Sequence, residues 1–318
     1  MPEQTTKALP VGLEGVSKAY GSEHVLNNVN LTVTGGECLV LVGHNGAGKT
    51  TLMKLLLGLV RPSAGQVRVF GDDPIAASSV TRRGALGYLP ESIVFDEAMT
   101  GRELLNFYAR LKSVNGTDCD ELLARVGITD AADRRLGTWS KGMRQRLGLA
   151  QAMLGKPRLL LLDEPTSGLD PSLRSTFYKI VESLRTDGVT VLISSHSLNE
   201  VEEHADRVAI LQKGRLLACG ALADLTEQAA LPVKLEISCV PDKTAMIVSQ
   251  LNECGFNNVR QVDGQHIQLA CPLTDKMAVL QQITNLGDAI LDIDIRSPRL
   301  DEIYAHFMAS DINENRQL

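Results

Sequence analysis

One run restricts this chain more than any other: Gly43-His44-Asn45-Gly46-Ala47-Gly48-Lys49-Thr50-Thr51. It fits a Gly, four residues, then Gly-Lys-Thr, the pattern of a phosphate-binding loop. The residues before it, Cys38-Leu39-Val40-Leu41-Val42, are short and apolar, as a buried parallel strand should be. Those after it, Leu52-Met53-Lys54-Leu55-Leu56-Leu57, predict a helix. Gly43, Gly46 and Gly48 allow backbone N–H groups to close around phosphate oxygens without Cβ clashes. The helix start faces the anion with the positive end of its dipole. Lys49 supplies a point charge for the β- and γ-phosphates, and the Thr50 hydroxyl can ligate Mg²⁺.

At 318 residues the chain has room for about two domains. An apolar fraction of 44% is enough for ordinary cores, and a net charge of -6 disfavours a nucleic-acid partner. The six cysteines, at 38, 119, 219, 239, 254 and 271, include no Cys-x-x-Cys pair. The N-terminal residues carry no charged-then-apolar secretion pattern, so reduced thiols are expected. No apolar run approaches the roughly 18 residues of a bilayer span, so any work at a membrane requires docking on a partner that spans it.

Periodicity predicts an α/β core with a helical insertion. Val25–Val33 and Gln66–Phe70 alternate as half-buried strands do. From about residue 88 to 155 the pattern is helical, with a capping box at Thr100–Glu103 and helices at 120–126 and 141–154. Leu159–Leu162 and Val189–Ile193 read as strands buried on both faces. Pro171–Arg185 reads as a helix, Ser197–Glu200 as a second capping box, and Arg207–Cys219 as a hairpin turning at Lys213-Gly214. The nucleotide-binding domain is therefore set at 1–228. After it the order βαββαβ predicts a small ferredoxin-like α+β accessory domain over 229–318, closed by a helix at Leu300–Met308 before a frayed tail. That part holds seven basic and twelve acidic residues, so it carries -5 of the net charge.

Three further strand ends or helix starts carry chemistry. Asp163 and Glu164 follow the strand Leu159–Leu162, where carboxylates meet a phosphate loop on a neighbouring strand. Asp163 suits Mg²⁺ and Glu164 suits polarising an attacking water. His196 follows Val191-Leu192-Ile193-Ser194-Ser195 and can reach a γ-phosphate. Ser140-Lys141-Gly142-Met143 opens a helix after Trp139 and makes a second anion site. A single nucleotide serves both anion sites only where they face each other.

The order of these motifs, with Ser167-Gly168-Leu169-Asp170 between the carboxylates and His196, resembles the nucleotide-binding subunits of ABC transporters. The resemblance covers residues 11 to about 220. It implies an ATPase using ATP and Mg²⁺ at the cytoplasmic face of the inner membrane, attached to a separate multi-span permease. It also implies a head-to-tail pair of two copies, the phosphate loop of one facing the signature helix of the other. Ser140, Lys141, Gly142, Met143 and Asp170 would then contact ATP held by the partner copy. Glu164 would be the general base, His196 the γ-phosphate switch, and Tyr20, in Lys18-Ala19-Tyr20-Gly21, the residue stacked on adenine. Two motifs depart from the family pattern: the signature reads Trp139-Ser140-Lys141-Gly142-Met143, which keeps the Ser and the second Gly. Lys141 replaces the first Gly of the Leu-Ser-Gly-Gly-Gln signature. Glu91, in Gly87-Tyr88-Leu89-Pro90-Glu91, replaces a Gln that touches Mg²⁺ and the water, and it is expected to keep that role because a carboxylate is a stronger hard-cation ligand.

Gly43-His44-Asn45 in the phosphate loop, the Gly87–Glu91 stretch, the run Ser140–Ala152 and Pro298–Tyr304 are together similar to NosF-type ATPases. Those serve maturation of the copper enzyme nitrous oxide reductase. That likeness implies a periplasmic maturation partner and a sulfur or copper-related cargo. Drug and lipid exporters of the same class share most of these residues, whereas ABC-type ATPases acting on ribosomes or DNA usually carry two modules, coiled coils or basic arms. Cys239, Cys254, Cys271, His266 and Met308 have no metal-ligand spacing, so the three cysteines are expected to be small buried thiols.

Overall fold

The computed structural model describes residues 9–76, 84–114, 118–198, 202–256 and 258–314. The second capping box expected from sequence falls on Asn199 and Glu200, outside the described residues. The chain divides into two compact units, Met1–Ala221 and Leu222–Leu318.

In chain order the first unit contains β1 (Val11–Tyr20), β2 (Glu23–Val33), β3 (Cys38–Val42), α1 (Lys49–Leu56), β4 (Ala64–Val69), β5 (Leu86–Leu89), α2 (Gly101–Leu111), α3 (Cys119–Arg125), α4 (Lys141–Met153), β6 (Leu159–Asp163), α5 (Pro171–Thr186), β7 (Thr190–Ser195), β8 (Arg207–Gln212) and β9 (Arg215–Gly220). β2, β1 and β4 form an antiparallel sheet. The other strands form a six-stranded sheet in the order β5-β6-β7-β3-β8-β9, parallel except for β9. Every residue of β3, β6 and β7 is buried, which is why β3 and the stretches Leu159–Leu162 and Val191–Ile193 read as apolar runs. One apolar cluster joins Val11, Leu13 and Val67 of the smaller sheet to Leu39, Leu41 and Leu161 of the larger, with Leu52, Met53, Leu55 and Leu56 of α1 between them. Helix α1 is therefore held on both sides, and the loop that precedes it is fixed at its C-terminal hinge.

The helical stretch begins later than the sequence pattern predicts. Residues 86–89 form β5 and pair in parallel with β6. A Cβ on Gly87 would collide with the Ala152 carbonyl, so a bare backbone at this position lets α4 close on the strand. Beyond it, Thr100 closes the expected capping box with Glu103. Asp118 caps α3, and Ser140 caps α4.

The second unit contains α6 (Leu222–Gln228), β10 (Val233–Cys239), α7 (Thr244–Glu253), β11 (Val259–Gln261), β12 (His266–Cys271), α8 (Lys276–Asn285), β13 (Ile290–Arg296) and α9 (Leu300–Glu314). Its antiparallel sheet runs β11-β12-β10-β13, the split βαβ arrangement expected of a ferredoxin-like domain. Val233, Leu235, Ile237, Ile267 and Leu269 face a core completed by Ile247 and Leu251 of α7 and Val279 and Ile283 of α8. Two expectations shift. The division falls at Ala221 rather than 228, because α6 packs with α9. Helix α9 continues past Met308 to Glu314.

Candidate functional site

Parallel register brings the expected residues to one edge. Val42 aligns with Ser195, Leu162 with Ile193, and Leu89 with Leu162. The loops leaving β3, β5, β6 and β7 therefore start side by side at the carboxyl ends of adjacent strands, where open α/β sheets bind ligands. They carry the phosphate loop, Glu91, the Asp163-Glu164 pair and His196.

The phosphate loop is shaped by the absence of side chains. A Cβ at Gly43 would overlap the Leu211 carbonyl, and one at Gly48 would lie 2.7 Å from Leu26 and 2.9 Å from the Val25 carbonyl. Gly46 and Gly48 hold φ values of 81° and 107°, which L-residues with a Cβ rarely adopt. Gly48 caps α1 without any side-chain hydrogen bond, so the first-turn N–H groups are left for an anion. His44, Asn45, Gly46, Ala47, Gly48, Lys49, Thr50 and Thr51 line a cavity of about 270 Å³ together with Val25, Glu91 and Glu164. A larger cavity of about 500 Å³ lies elsewhere, beside Arg61, Arg68 and Pro74, and contains none of the expected site residues.

Lys49 is buried and donates to the Gly43 carbonyl at 2.5 Å. Its ammonium stands 3.2 Å from Glu164 Oε1. That oxygen is fully enclosed and forms no hydrogen bond, so the ion contact is what neutralises it. The other oxygen, Oε2, meets His196 Nδ1 at 2.7 Å. Glu164 sits in the left-handed region at φ 47°. Such a backbone is held only where neighbours over-determine it. Here the Glu164 N–H donates to the Ser194 hydroxyl at 3.0 Å and reaches its carbonyl at 3.2 Å, while the Ser194 hydroxyl donates to Asp163 Oδ1 at 2.5 Å. Ser194 thus positions both carboxylates. Sequence reading passed over it; the signal was a pair of hydroxyl residues ending an otherwise apolar strand.

Tyr88 on β5 records the charge at this edge. Burial pushes its hydroxyl up to about 12, with the Asp163 and Glu91 carboxylates adding to the rise.

The second anion element stands apart in a single chain. The Ser140 hydroxyl accepts from the Met143 N–H at 3.3 Å. A Cβ at Gly142 would fall 2.5 Å from Leu173 Cδ1, so α4 approaches the start of α5 at a bare backbone. Lys141 is exposed and does not line the phosphate-loop cavity; its ammonium lies over Gly168, where a Cβ would displace it. Asp170 caps α5, accepting from the Leu173 N–H at 3.0 Å. None of residues 140–143 lines the phosphate-loop cavity. Lys141 instead lines a separate groove of about 500 Å³ with Glu91, Val94, Trp139, Arg144 and Ser167. Tyr20 is 46% exposed at the end of β1, outside both cavities, and carries the Lys18 ammonium 4.7 Å from its ring centre.

The edge fits a nucleoside triphosphate and its magnesium. The loop offers bare N–H groups and a buried ammonium to phosphate, while Thr50, Asp163 and Glu91 offer hard oxygen atoms. Among the described residues no group of three or more His, Cys, Asp or Glu could hold a metal alone. Mg²⁺ is usually bound through one or two carboxylates plus substrate phosphates, the kind of oxygen ligands this edge offers. In the second unit Cys239 and Cys271 are buried as expected, but Cys254, at the C-terminal end of α7, is exposed.

Residues 26–167 match the family model described as ABC transporter. The chain is 31% identical over 316 residues to daunorubicin resistance ATP-binding protein DrrA3 of Streptomyces coeruleorubidus, covering 95% of this chain and 96% of that one. It is 37% identical over 222 residues to Nod factor export ATP-binding protein I of Rhizobium sp. (strain N33), covering 69% and 73%. Among solved structures, the ATP-binding subunit of an ABC transporter matches at 30% identity with a TM-score of 0.63, covering 69% of this chain and 92% of that one. A dimeric bacterial ABC transporter cassette shares the fold at 23% identity and a TM-score of 0.61, covering 67% and 98%.

Proposed function

The chain belongs to the family of ABC transporter ATP-binding subunits, ATPases coupled to transport that use ATP with Mg²⁺, and we propose that this one powers a separate membrane permease in the export of a small molecule. The observation that carries the catalytic assignment is the chain of contacts from Lys49 through Glu164 to His196 beside the phosphate-loop cavity.

Each residue has a physical task. The loop N–H groups and Lys49 bind the β- and γ-phosphates. Bound Mg²⁺ would offset charge on those phosphates, and Thr50, Asp163 and Glu91 are the residues that would hold it. Glu164 accepts the proton of the attacking water. His196 keeps the Glu164 carboxylate oriented through Oε2 and offers its other ring nitrogen toward the γ-phosphate. Tyr20 stacks on adenine through its exposed ring.

The separation of the two anion elements supports pairing with a second copy. Ser140, Gly142 and Met143 do not line the phosphate-loop cavity of their own chain, yet they present a helix start suited to phosphate. A head-to-tail partner would bring them to it, with Lys141 and Asp170 nearby. Among the described residues no helix is long and apolar enough to cross a membrane. Peripheral attachment at the cytoplasmic face, through the groove beside Glu91, accounts for a transport role.

Export of a small molecule rests on a relative named for drug resistance that matches nearly end to end, second unit included. A narrower role, maturation of the nitrous oxide reductase copper centre with a periplasmic partner, rests on the motif likeness at residues 43–45, 87–91, 140–152 and 298–304. Glu164→Gln separates the catalytic proposal from its rivals. The variant should form an ATP-dependent dimer in small-angle scattering and lose turnover; turnover at the parental rate would remove Glu164 as the base.

A further inference from the structure

Strand β7 ends in two hydroxyl residues, Ser194 and Ser195, and they serve different groups. Ser195 accepts from the Ser197 N–H at 3.0 Å and so holds the turn that carries His196. Ser194 is fully buried and lies in register with Asp163 on the neighbouring strand β6. The residues before it, Val191, Leu192 and Ile193, are apolar and buried. A hydroxyl in such a place is costly unless it is satisfied.

The Ser194 hydroxyl is used in both directions. It donates to Asp163 Oδ1 at 2.5 Å and accepts from the Glu164 N–H at 3.0 Å. Among the described residues no other side chain hydrogen-bonds Asp163. Ser194 therefore restrains the turn of that carboxylate and leaves Oδ2 for a hard cation. The second bond holds the backbone of the base. Glu164 keeps φ 47°, a conformation that persists only where neighbours over-determine it. The other acceptor of the Glu164 N–H is the Ser194 carbonyl at 3.2 Å, on the same residue.

We infer that Ser194 is a positioning residue that joins the cation carboxylate to the base: one buried hydroxyl holds Asp163 and Glu164 at once, so order imposed on either passes to the other. This rests on the ATPase reading above and goes beyond it, because the Mg²⁺ requirement and water activation then share one residue outside the phosphate loop. Without the hydroxyl, Thr50 and Glu91 would still offer oxygen to the cation, and Lys49 and His196 would still hold the Glu164 carboxylate. What is lost is the fixed relation between the two carboxylates.

Ser194→Thr and Ser194→Val in the full chain differ by a hydroxyl at nearly equal volume, so the packing change is common to both. Without nucleotide or metal, hydrogen exchange at the Glu164 amide should be faster in Ser194→Val than in Ser194→Thr. Mn²⁺ binding to the ADP-loaded chain, read by electron paramagnetic resonance, should weaken roughly tenfold in the Val variant and stay within about twofold of the parent in the Thr variant. In MgATP turnover the Val variant should lose roughly tenfold in kcat or more, with KM for ATP unchanged at saturating Mg²⁺. Ser194→Ala, which adds no bulk, should follow Val. Val and Thr variants that match in exchange, Mn²⁺ binding and kcat would overturn the assignment, as would a Val defect confined to melting temperature. A parent chain without ATP turnover would instead sink the ATPase reading, and the exchange comparison would still judge Ser194.

Discussion

The Lys49 ammonium stands 3.2 Å from Glu164 Oε1, with both side chains more than nine-tenths buried. An ion pair so enclosed is worth little net stability, yet removing one partner strands a charge and costs about 3–5 kcal/mol. Lys49→Ala should therefore lose both ATP binding and stability. A fall in Tm on the order of 10 °C is expected for a unit of this size. Lys49→Ala combined with Glu164→Gln should regain much of that stability without regaining ATP binding. Equal Tm for the single and double variants would mean that Glu164 is already relieved by water.

Gly142 makes a second prediction. Its φ is not in the left-handed region, so a methyl group there is opposed only by Leu173 Cδ1 at 2.5 Å. The end of a leucine can move, so Gly142→Ala should cost about 1–3 kcal/mol rather than unfold the chain. Adding Leu173→Ala should relieve the overlap. Chemical denaturation of the two variants measures this, and a Gly142→Ala cost untouched by the second change would exclude the overlap as its source.

Tyr88 gives a pH signature. Its folded-state value of about 12 lies above the ordinary 10.0, chiefly through burial and then through Asp163 and Glu91. The neutral hydroxyl therefore contributes stability in full below pH 10.0, and that contribution is lost as pH rises toward 12. Phenolate absorbance should show a late-titrating phase to which Tyr88 contributes. Tyr88→Phe should remove one phenolate equivalent from that phase, and Asp163→Asn should bring the Tyr88 equivalent to lower pH. A late phase unchanged in amplitude by Tyr88→Phe would contradict this placement.

Thiol reactivity should divide sharply. Cys254 is exposed, whereas burial pushes the Cys38 thiol up to about 12, helped by the nearby Asp206 carboxylate. A thiol disulfide reagent at mildly alkaline pH should label one cysteine fast, and Cys254→Ser should abolish that phase. Fast labelling of Cys38 would require β3 to open.

Much of this was legible in the sequence where a residue type is forced by local chemistry. The phosphate loop needs bare backbone and one cation, so its glycines and Lys49 announce it. Asp163, Glu164 and His196 were readable because apolar strands end abruptly in charge. The fold class followed from the same strands and from the βαββαβ spacing. Other features depend on distant partners. β5 is four residues long and holds Gly87, so it has no strand periodicity; its identity comes from pairing with β6. The unit boundary moved because α6 finds its partner in α9, some seventy residues on. The resting place of Lys141 depends on Gly168 lacking a side chain, and the exposure of Cys254 on where α7 stops. No window of sequence contains either relation.

Glu91 is the residue common to the lining of the phosphate-loop cavity and of the neighbouring groove. A segment docked in that groove that moves this carboxylate would alter nucleotide affinity, and thermodynamic reciprocity makes such an effect equal in both directions. Whatever factor a docked segment imposes on nucleotide affinity, the nucleotide returns to the grip on that segment, through a single carboxylate at the end of a four-residue strand.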